Sequence, residues 1–491
     1  MKMEYNVLMS FEPIIGLEVH VQLNTNSKMF CACSGSYQEM EPNSLVCEVC
    51  LGLPGSLPSV NLEAVKSAIK LGLSLGCKIS DVTKFDRKNY VYPDLMKGYQ
   101  ISQFDMPIAI SGEVNIETKS SEIKSKIRIN RVHMEEDVAK LIHNELNDSV
   151  FMDLNRSGMP LLEVVTEPDF RSSEEAESYL IKLQSIVRYL GIGTANMEEG
   201  SFRCDANVSI REKGSEKLNE KVEIKNMNRI KAVARAIDYE ILRQEKAVNN
   251  GERIVQETRG WDDVGSKSIP QRSKEDAHDY RYFAEPDIPA IKITEKFINS
   301  LKETLPELPE EKQERYENDL NLSSYDAGIL VSNQKKADFF DKVIDSSNEL
   351  DGKYVANWIN VDLNAISNAQ KDDELEKMKI SPENFGKLIT LVKKNKINKN
   401  TAKDLLSEIY LSNEDAESLS KSRGLQKIED SGQLSDIVRG AIESNQAAVD
   451  DYKNGKETAV RFLIGQVMKQ SKGTANPNSA ETEIIIQLKS K

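Results

Sequence analysis

The chain reads as an α+β protein: a large sheet-based domain with a cysteine-bearing loop, then a helical domain, then a small helical tail. Three observations predict this. Period-two apolar/polar strands recur through about the first 300 residues. After about residue 300, helix formers dominate, glycines thin out, and Leu, Lys and Glu recur at helical spacing. Four of the six cysteines are crowded into the stretch from Cys31 to Cys50. At 491 residues the chain is too long for one core, and two to four domains are expected. The expected divisions are 1–300, 301–410 and 411–491. The proline pair in L-P-E-L-P-E-E-K (305–312) marks the first boundary. I-N-K-N-T and L-S-N-E-D, near 398–412, mark a weaker second one.

Four segments carry the sheet. In I-I-G-L-E-V-H-V-Q-L, Ile15, Leu17, Val19, Val21 and Leu23 share one face, and Glu18, His20 and Gln22 the other. In R-V-H-M-E-E-D, Val132 and Met134 oppose Arg131, His133, Glu135 and Asp137. In F-R-C-D-A-N-V-S-I, Phe202, Cys204, Ala206, Val208 and Ile210 alternate with Arg203, Asp205, Asn207 and Ser209. In V-E-I-K-N, Val222 and Ile224 alternate with Glu223 and Lys225. A merely wet sheet face tends to carry Thr, Lys and Ser. This face carries carboxylates and a histidine, the groups that a hard cation and a phosphate donor require.

Helices are expected at 309–320, 323–348 and 381–395, the last with Ser381 as N-cap and Pro382 at the first helical position. In 457–471, Val460, Leu463, Ile464, Val467 and Met468 follow an amphipathic helical spacing.

The cysteines read C-x-C, a loop, then C-x-x-C: Cys31, Cys33, Cys47 and Cys50. Two tight pairs joined by a loop suit a tetrahedral zinc–thiolate site, with Gly35, Pro42, Gly52, Pro54 and Gly55 supplying turns. Four thiolates leave no open coordination position, so this zinc-binding loop is structural. Disulfides do not suit a cytosolic chain, and L-G-L-P-G-S-L-P after C-E-V-C contradicts a thioredoxin-like frame. Cys77 and Cys204 lie in apolar patterns and read as core thiols.

The net charge is −14, from 79 acidic and 65 basic residues, which argues against a dedicated nucleic-acid coat protein. Lys221, Lys225, Arg229, Lys231 and Arg235 form a local basic excess that a solvated helix face explains equally well. No apolar run reaches bilayer-spanning length, and the N-terminal residues lack the pattern of a signal peptide, so a cytoplasmic protein with no membrane partner is expected. The sequence has no G-x-x-x-x-G-K-[ST] loop, no H-E-x-x-H, no G-x-S-x-G and no Ser-rich amidase signature. If amide chemistry is involved, the hydrolase is another chain.

A set of ordered strings then resembles one family. They are G-L-E-V-H-V-Q-L, C-L-G-L-P-G-S-L-P, R-K-N-Y-V-Y-P-D-L-M-K-G-Y-Q-I-S-Q, H-M-E-E-D, D-L-N-R-S-G-M-P-L-L-E-V-V-T-E-P-D, R-C-D-A-N-V-S, E-I-K-N-M-N, K-E-D-A-H-D-Y-R-Y-F-A-E-P-D and G-Q-V-M-K-Q-S-K-G-T-A-N-P. From about residue 12 to the C-terminus the chain is similar to the B subunits of glutamine-dependent aspartyl/glutamyl-tRNA amidotransferases. The resemblance implies a sheet-based cradle domain, a helical domain and a tail domain that contacts tRNA. It implies ATP- and magnesium-dependent phosphorylation of the side-chain carboxylate on Glu-tRNA(Gln) or Asp-tRNA(Asn). Ammonia from an amidase (A) subunit then displaces phosphate, and a small C subunit stabilises the pair. A zinc-stabilised tRNA scaffold without its own catalytic site is the alternative.

Under that reading, a carboxylate attacking a γ-phosphate brings two anions together, and a cation must offset the repulsion. Glu18, His20, Glu135 and Glu223 are the candidate magnesium ligands, with Asp205 direct or through water and Lys225 as the positive side chain. The choice of Glu135 over Glu136 is open in the sequence. Lys225 and Asn226 face nucleotide phosphates or the acyl phosphate. Asn155, Arg156 and Ser157, before Gly158, suggest a tight turn near a ligand. Arg87, Lys88, Asn89, Tyr90, Lys97 and Tyr99 form a polar, aromatic loop suited to clamping the acylated 3′ end. A packed Tyr/Pro turn explains that loop equally well. His278 and Arg281 are candidates for the pocket or the ammonia path. Met96 departs from the family's usual proline and loosens this loop slightly.

Overall fold

Alternation between apolar and polar residues builds one sheet from nine strands. In the computed structural model they are β1 (Phe11–Gln22), β2 (Lys78–Ile79), β3 (Ala109–Thr118), β4 (Ser121–Glu136), β5 (Pro160–Thr166), β6 (Phe202–Glu212), β7 (Val222–Met227), β8 (Glu257–Asp262) and β9 (Lys267–Ser273). Their spatial order is β9-β8-β7-β6-β1-β5-β4-β3-β2. All neighbours are antiparallel except the parallel pair β7 and β8. The structure describes residues 11–118, 121–143, 149–273, 280–347, 349–372, 375–425, 431–453, 455–456, 458–471 and 474–490.

The apolar face is the one the sequence marked. Ile15, Leu17, Val19, Val21, Val132, Met134, Phe202, Ala206, Val208 and Ile224 are all buried. They share one core with Ala64, Ile69, Tyr179, Leu183, Val233 and Ile237 from helices α1 (Leu62–Ser74), α2 (Ser173–Tyr189) and α3 (Ile230–Asn249). One face of the sheet is thus paved by helices, and the other is left to the polar side chains. Burial at roughly 25 cal/mol per Å² of apolar surface makes a one-residue register slip prohibitive, because it would turn carboxylates into this core.

The chain separates into two compact units, Met1–Leu308 and Pro309–Lys491. Among the described residues the second unit is entirely helical, so the α+β class read from the sequence holds. It contains two apolar clusters. One gathers Phe340, Trp358, Phe385, Leu406 and Tyr410. The other gathers Val438, Leu463, Val467 and Ile484. The second boundary expected near 398–412 falls instead within a helix, Lys399–Ser412, whose Leu405, Leu406 and Ile409 belong to the first cluster. The change of core lies later, between Leu425 and Leu434. The single helix expected over 323–348 is two, Ser324–Val331 and Gln334–Asp345. Asn333 interrupts it, because its side chain accepts from the Lys336 amide and so opens a new helix.

The 381–395 segment forms Pro382–Lys393, with Ser381 accepting from the Asn384 amide at 3.2 Å. Ser381→Ala should lower stability by about 1 kcal/mol and Ser381→Gly by only a few tenths, measured by urea unfolding.

Candidate active site and cysteine cluster

The polar face of the sheet assembles by register. His20 on β1 lies opposite Glu163 on β5 and Arg203 on β6, and Glu163 lies opposite His133 on β4. One row across four strands therefore reads His133, Glu163, His20, Arg203. The next row on β1 and β6 pairs Glu18 with Asp205, and beyond it Asn207 pairs with Glu223 on β7.

Two groups result. In the first, His20 Nε2 lies 3.4 Å from both a Glu135 and a Glu163 oxygen, and His133 Nε2 lies 3.2 Å from Glu163. Glu135 and Glu163 are buried. One ligand atom each from His20, Glu135 and Glu163 fall within 4.8 Å of one another, a spacing that suits one metal ion. Burial disfavours charge on His20, but the two carboxylates outweigh it and push its pKa up to about 10. Burial alone would raise Glu135, yet the hydrogen bond from His20 holds it low. Burial is likewise overcome at Glu163, by His133 and His20. The two buried acids thus favour positive charge between them.

In the second group, Lys225 pairs with Asp205, and with Glu223 at 3.1 Å. Thr258 donates to Glu223 at 2.9 Å. Glu18 lies between the groups and accepts from Asn207 Nδ2 at 3.0 Å. Burial raises its pKa first, and the charges of Glu163, Asp205 and Glu223 raise it further, against Lys225.

The four Sγ atoms of Cys31, Cys33, Cys47 and Cys50 also lie within 4.8 Å of one another. The Cys47 amide donates to Cys50 Sγ at 3.1 Å. Lys28, fully buried, donates to the Leu45 carbonyl at 2.7 Å and reaches Cys50 Sγ at 3.9 Å. Hydrogen bonding from Cys31, backed by Lys28, lowers the Cys50 thiol to about 5. Cys50 and burial raise the Cys31 thiol in turn, burial and Cys47 raise that of Cys33, and four clustered sulfurs of this kind suit a structural ion.

Residues 13–299 match the family model described as the GatB/GatE catalytic domain, and residues 338–488 the GatB domain. The chain is 49% identical to the B subunit of aspartyl/glutamyl-tRNA(Asn/Gln) amidotransferase from Dehalococcoides mccartyi, over 96% of this chain and 97% of that one. It is 46% identical to the proteins of the same name from Brevibacillus brevis and Carboxydothermus hydrogenoformans, over 95% and 96% of this chain and 96% and 97% of theirs. The chain belongs to the amidotransferase B-subunit family.

Both polar groups and all four cysteines fall inside the family's catalytic-domain match. Of the softer candidates, Lys88 comes close to the first group. Burial works against its charge, but Glu135, Tyr282, Tyr90 and Glu163 together raise its pKa. Its Nζ stands 5.0 Å from the Tyr280 ring. Arg87 is turned elsewhere, paired with the buried Glu285 at 2.7 and 2.9 Å and lying 4.3 Å over Tyr99. Glu136 points away from His20 toward Lys97, so the structure places Glu135, and not Glu136, beside the histidine.

Within the Asn155–Ser157 turn, Arg156 reaches toward the end of the polar row: its Nε lies 3.7 Å from the Asp137 oxygen that Arg203 approaches at 3.1 Å. Asn155 is fully buried, accepting from the Leu45 amide and donating to the Glu41 carbonyl, both at 2.8 Å, so it staples the cysteine loop. Arg156 donates to the carbonyls of Val138 and Ala139. Ser157 is buried. Asn226 is exposed beside the irregularity in the β6–β7 pairing, with a φ of 65°. His278 lies outside the described residues, and Arg281 is exposed, its carbonyl accepting from Asn89. The basic run 221–235 is broken up, with Lys225 on the sheet, Arg229 paired with Glu198 and Arg235 with Asp263. Glu163, His133 and Arg203 are residues of the row that sequence reasoning left out of the site.

Proposed function

We propose that this chain is the B subunit of a glutamine-dependent aminoacyl-tRNA amidotransferase, a carbon–nitrogen ligase. It phosphorylates the side-chain carboxylate of Glu-tRNA(Gln) or Asp-tRNA(Asn) with ATP, and ammonia channelled from a partner amidase (A) subunit then displaces phosphate. A small C subunit completes the assembly, and the chain works in the cytoplasm. Among the described residues no helix is long and apolar enough to cross a membrane.

The observation that carries this reading is the convergence of His20, Glu135 and Glu163 within reach of one ion, beside Glu18, Asp205, Glu223 and Lys225. His20, Glu135 and Glu163 would hold Mg²⁺, with Glu18, Asp205 and Glu223 toward a second position. A cation there supplies charge neutralisation between the incoming carboxylate and the γ-phosphate. Lys225 would meet the phosphate oxygens once Asp205 and Glu223 turn to a cation, with Asn226 beside it. Lys88, flanked by aromatic rings, would steady the acyl phosphate. The four cysteines would hold Zn²⁺ as a structural ion. Asn155 supports that loop, while Arg156, which shares the Asp137 carboxylate with Arg203, would stand at the edge of the ligand face. The helical module with Val438, Leu463 and Ile484 at its core would be the tRNA-contacting tail.

The test supplies ammonium chloride in place of glutamine to the assembled enzyme with Glu-tRNA(Gln) or Asp-tRNA(Asn), ATP and magnesium. Glu18→Gln should lose turnover and keep tRNA affinity. Equal turnover in the variant and the wild type would remove Glu18 from the chemistry. No turnover in either, with tRNA still bound, would favour a scaffold.

A further inference from the structure

The cysteine nest and the acidic face lie at opposite ends of one continuous set of contacts. The stem of Lys97 crosses the cysteine loop so closely that a Cβ on Gly52 would lie 2.3 Å from its Cγ. Gly52 follows Cys50 by two residues, and its amide is tied back to Val49 at 3.0 Å. Beyond the loop, the Lys97 ammonium pairs with Glu136, both side chains nearly buried. The same Glu136 oxygen accepts the Ile101 amide at 2.9 Å, and Gln100 donates to the Glu136 carbonyl at 2.7 Å. Ser102 then reaches Glu135 at 3.3 Å. A second tie runs through Gly158, whose carbonyl accepts the Met29 amide at 2.7 Å and whose amide donates to Asp137 at 2.9 Å. A Cβ on Gly158 would stand 3.6 Å from that of Cys50 and 3.9 Å from Glu136 Oε2.

Glu135 and Glu136 are consecutive on β4 and point to opposite faces. Whatever fixes Glu136 therefore fixes the backbone from which Glu135 reaches His20. A lysine whose stem is wedged by the cysteine loop and whose charge is spent on Glu136 has little freedom left for substrate. Its geometry is that of a strut.

We propose that the four-cysteine site and the His20–Glu135–Glu163 site are coupled through a clamp in which Lys97 holds Glu136. Occupancy of the cysteines by zinc then sets the placement of Glu135. Lys97 is a positioning residue, and the claim rests on the ion-binding reading of the acidic face. The coupling is reciprocal, since two ligands linked through one element shift each other's affinity by the same factor.

The experiment uses the assembled enzyme, zinc-loaded or stripped with a chelator that is then removed, as wild type, Lys97→Met and Lys97→Arg. Two quantities are read: amide exchange at Ile101, which reports the Glu136 hydrogen bond, and Mn²⁺ affinity. In wild type, zinc removal should speed Ile101 exchange and weaken Mn²⁺ binding by about 5-fold or more. Lys97→Met should reproduce both with its zinc content unchanged, and zinc removal from that variant should add little further. Lys97→Arg should restore most of each. Unchanged Ile101 protection on zinc removal would overturn the clamp, as would losses that multiply. If Mn²⁺ fails to bind the wild type, the ion-site reading falls, and Ile101 exchange still decides the clamp.

Discussion

Glu163→Gln should reduce ammonium-supported amidation by at least about 100-fold, the scale expected when a preorganised charged group is removed from a reacting centre. The substitution keeps shape and removes charge. Glu163 is buried between two imidazoles, 3.4 Å from His20 and 3.2 Å from His133. In the cation-free protein it is one of two carboxylates that raise His20 to about 10 from an ordinary 6.5. With glutamine in its place the His20 titration should move down toward the ordinary value, readable from imidazole resonances in the absence of metal. The sign follows from linkage. A histidine raised in the folded state contributes stability that is full below about 6.5 and lost as pH climbs toward 10. That decline should flatten in the variant. Binding of tRNA should be unchanged, because the group is buried within the sheet face. A variant retaining both wild-type turnover and the high His20 titration would show that Glu163 is a bystander.

Glu163 was hard to read from sequence for a physical reason. The other polar-face residues sit on strands that alternate cleanly, as His20 does between Val19 and Val21. β5 instead reads P-L-L-E-V-V-T, with Pro160, Leu161, Leu162, Glu163 and Val164 all buried. A strand covered on both faces loses its period-two signature. The remaining signal was one carboxylate inside an apolar run, which needs a partner to be buried at all. His133 was visible in the alternation, but only the pairing of β4 with β5 gives it Glu163. Pairing at long range is also why Arg87, which the sequence placed in a tRNA clamp, turned out to be matched to Glu285, 198 residues away. Asn155 shows the converse. Asn-Arg-Ser before a glycine is a sound turn signal, and the turn exists, but its amide group is consumed by the cysteine loop. Composition and spacing located the polar face and the nest. They carried no information on which polar groups were already satisfied.

Gly35→Ala should empty the cysteine nest. Gly35 lies between Cys33 and Cys47, and a Cβ there would meet the Thr25 carbonyl oxygen at 2.0 Å, far inside contact distance. The obstacle is backbone, and it cannot rotate away. The Gly35 amide donates to Asn26 at 3.0 Å, and Ser27 bridges Ser34, so the two backbone segments are tied where the methyl would enter. Relief requires them to part, which moves Cys33 and then Cys31 from Cys47 and Cys50. Overpacking of this kind typically costs about 1–3 kcal/mol where the surroundings can yield. Here the loss compounds, because a site that no longer gathers four thiolates gives up its metal, and metal binding is folding free energy. Purified variant should hold markedly less zinc per chain by elemental analysis and melt at lower temperature. Ser36→Ala, at an exposed neighbour, should match wild type in both. If Lys97 links the nest to Glu136, the same variant should lose ammonium-supported turnover as well, although Gly35 touches no residue of the acidic face. Full zinc with an unchanged melting temperature would show that the loop absorbs the methyl and would overturn this prediction.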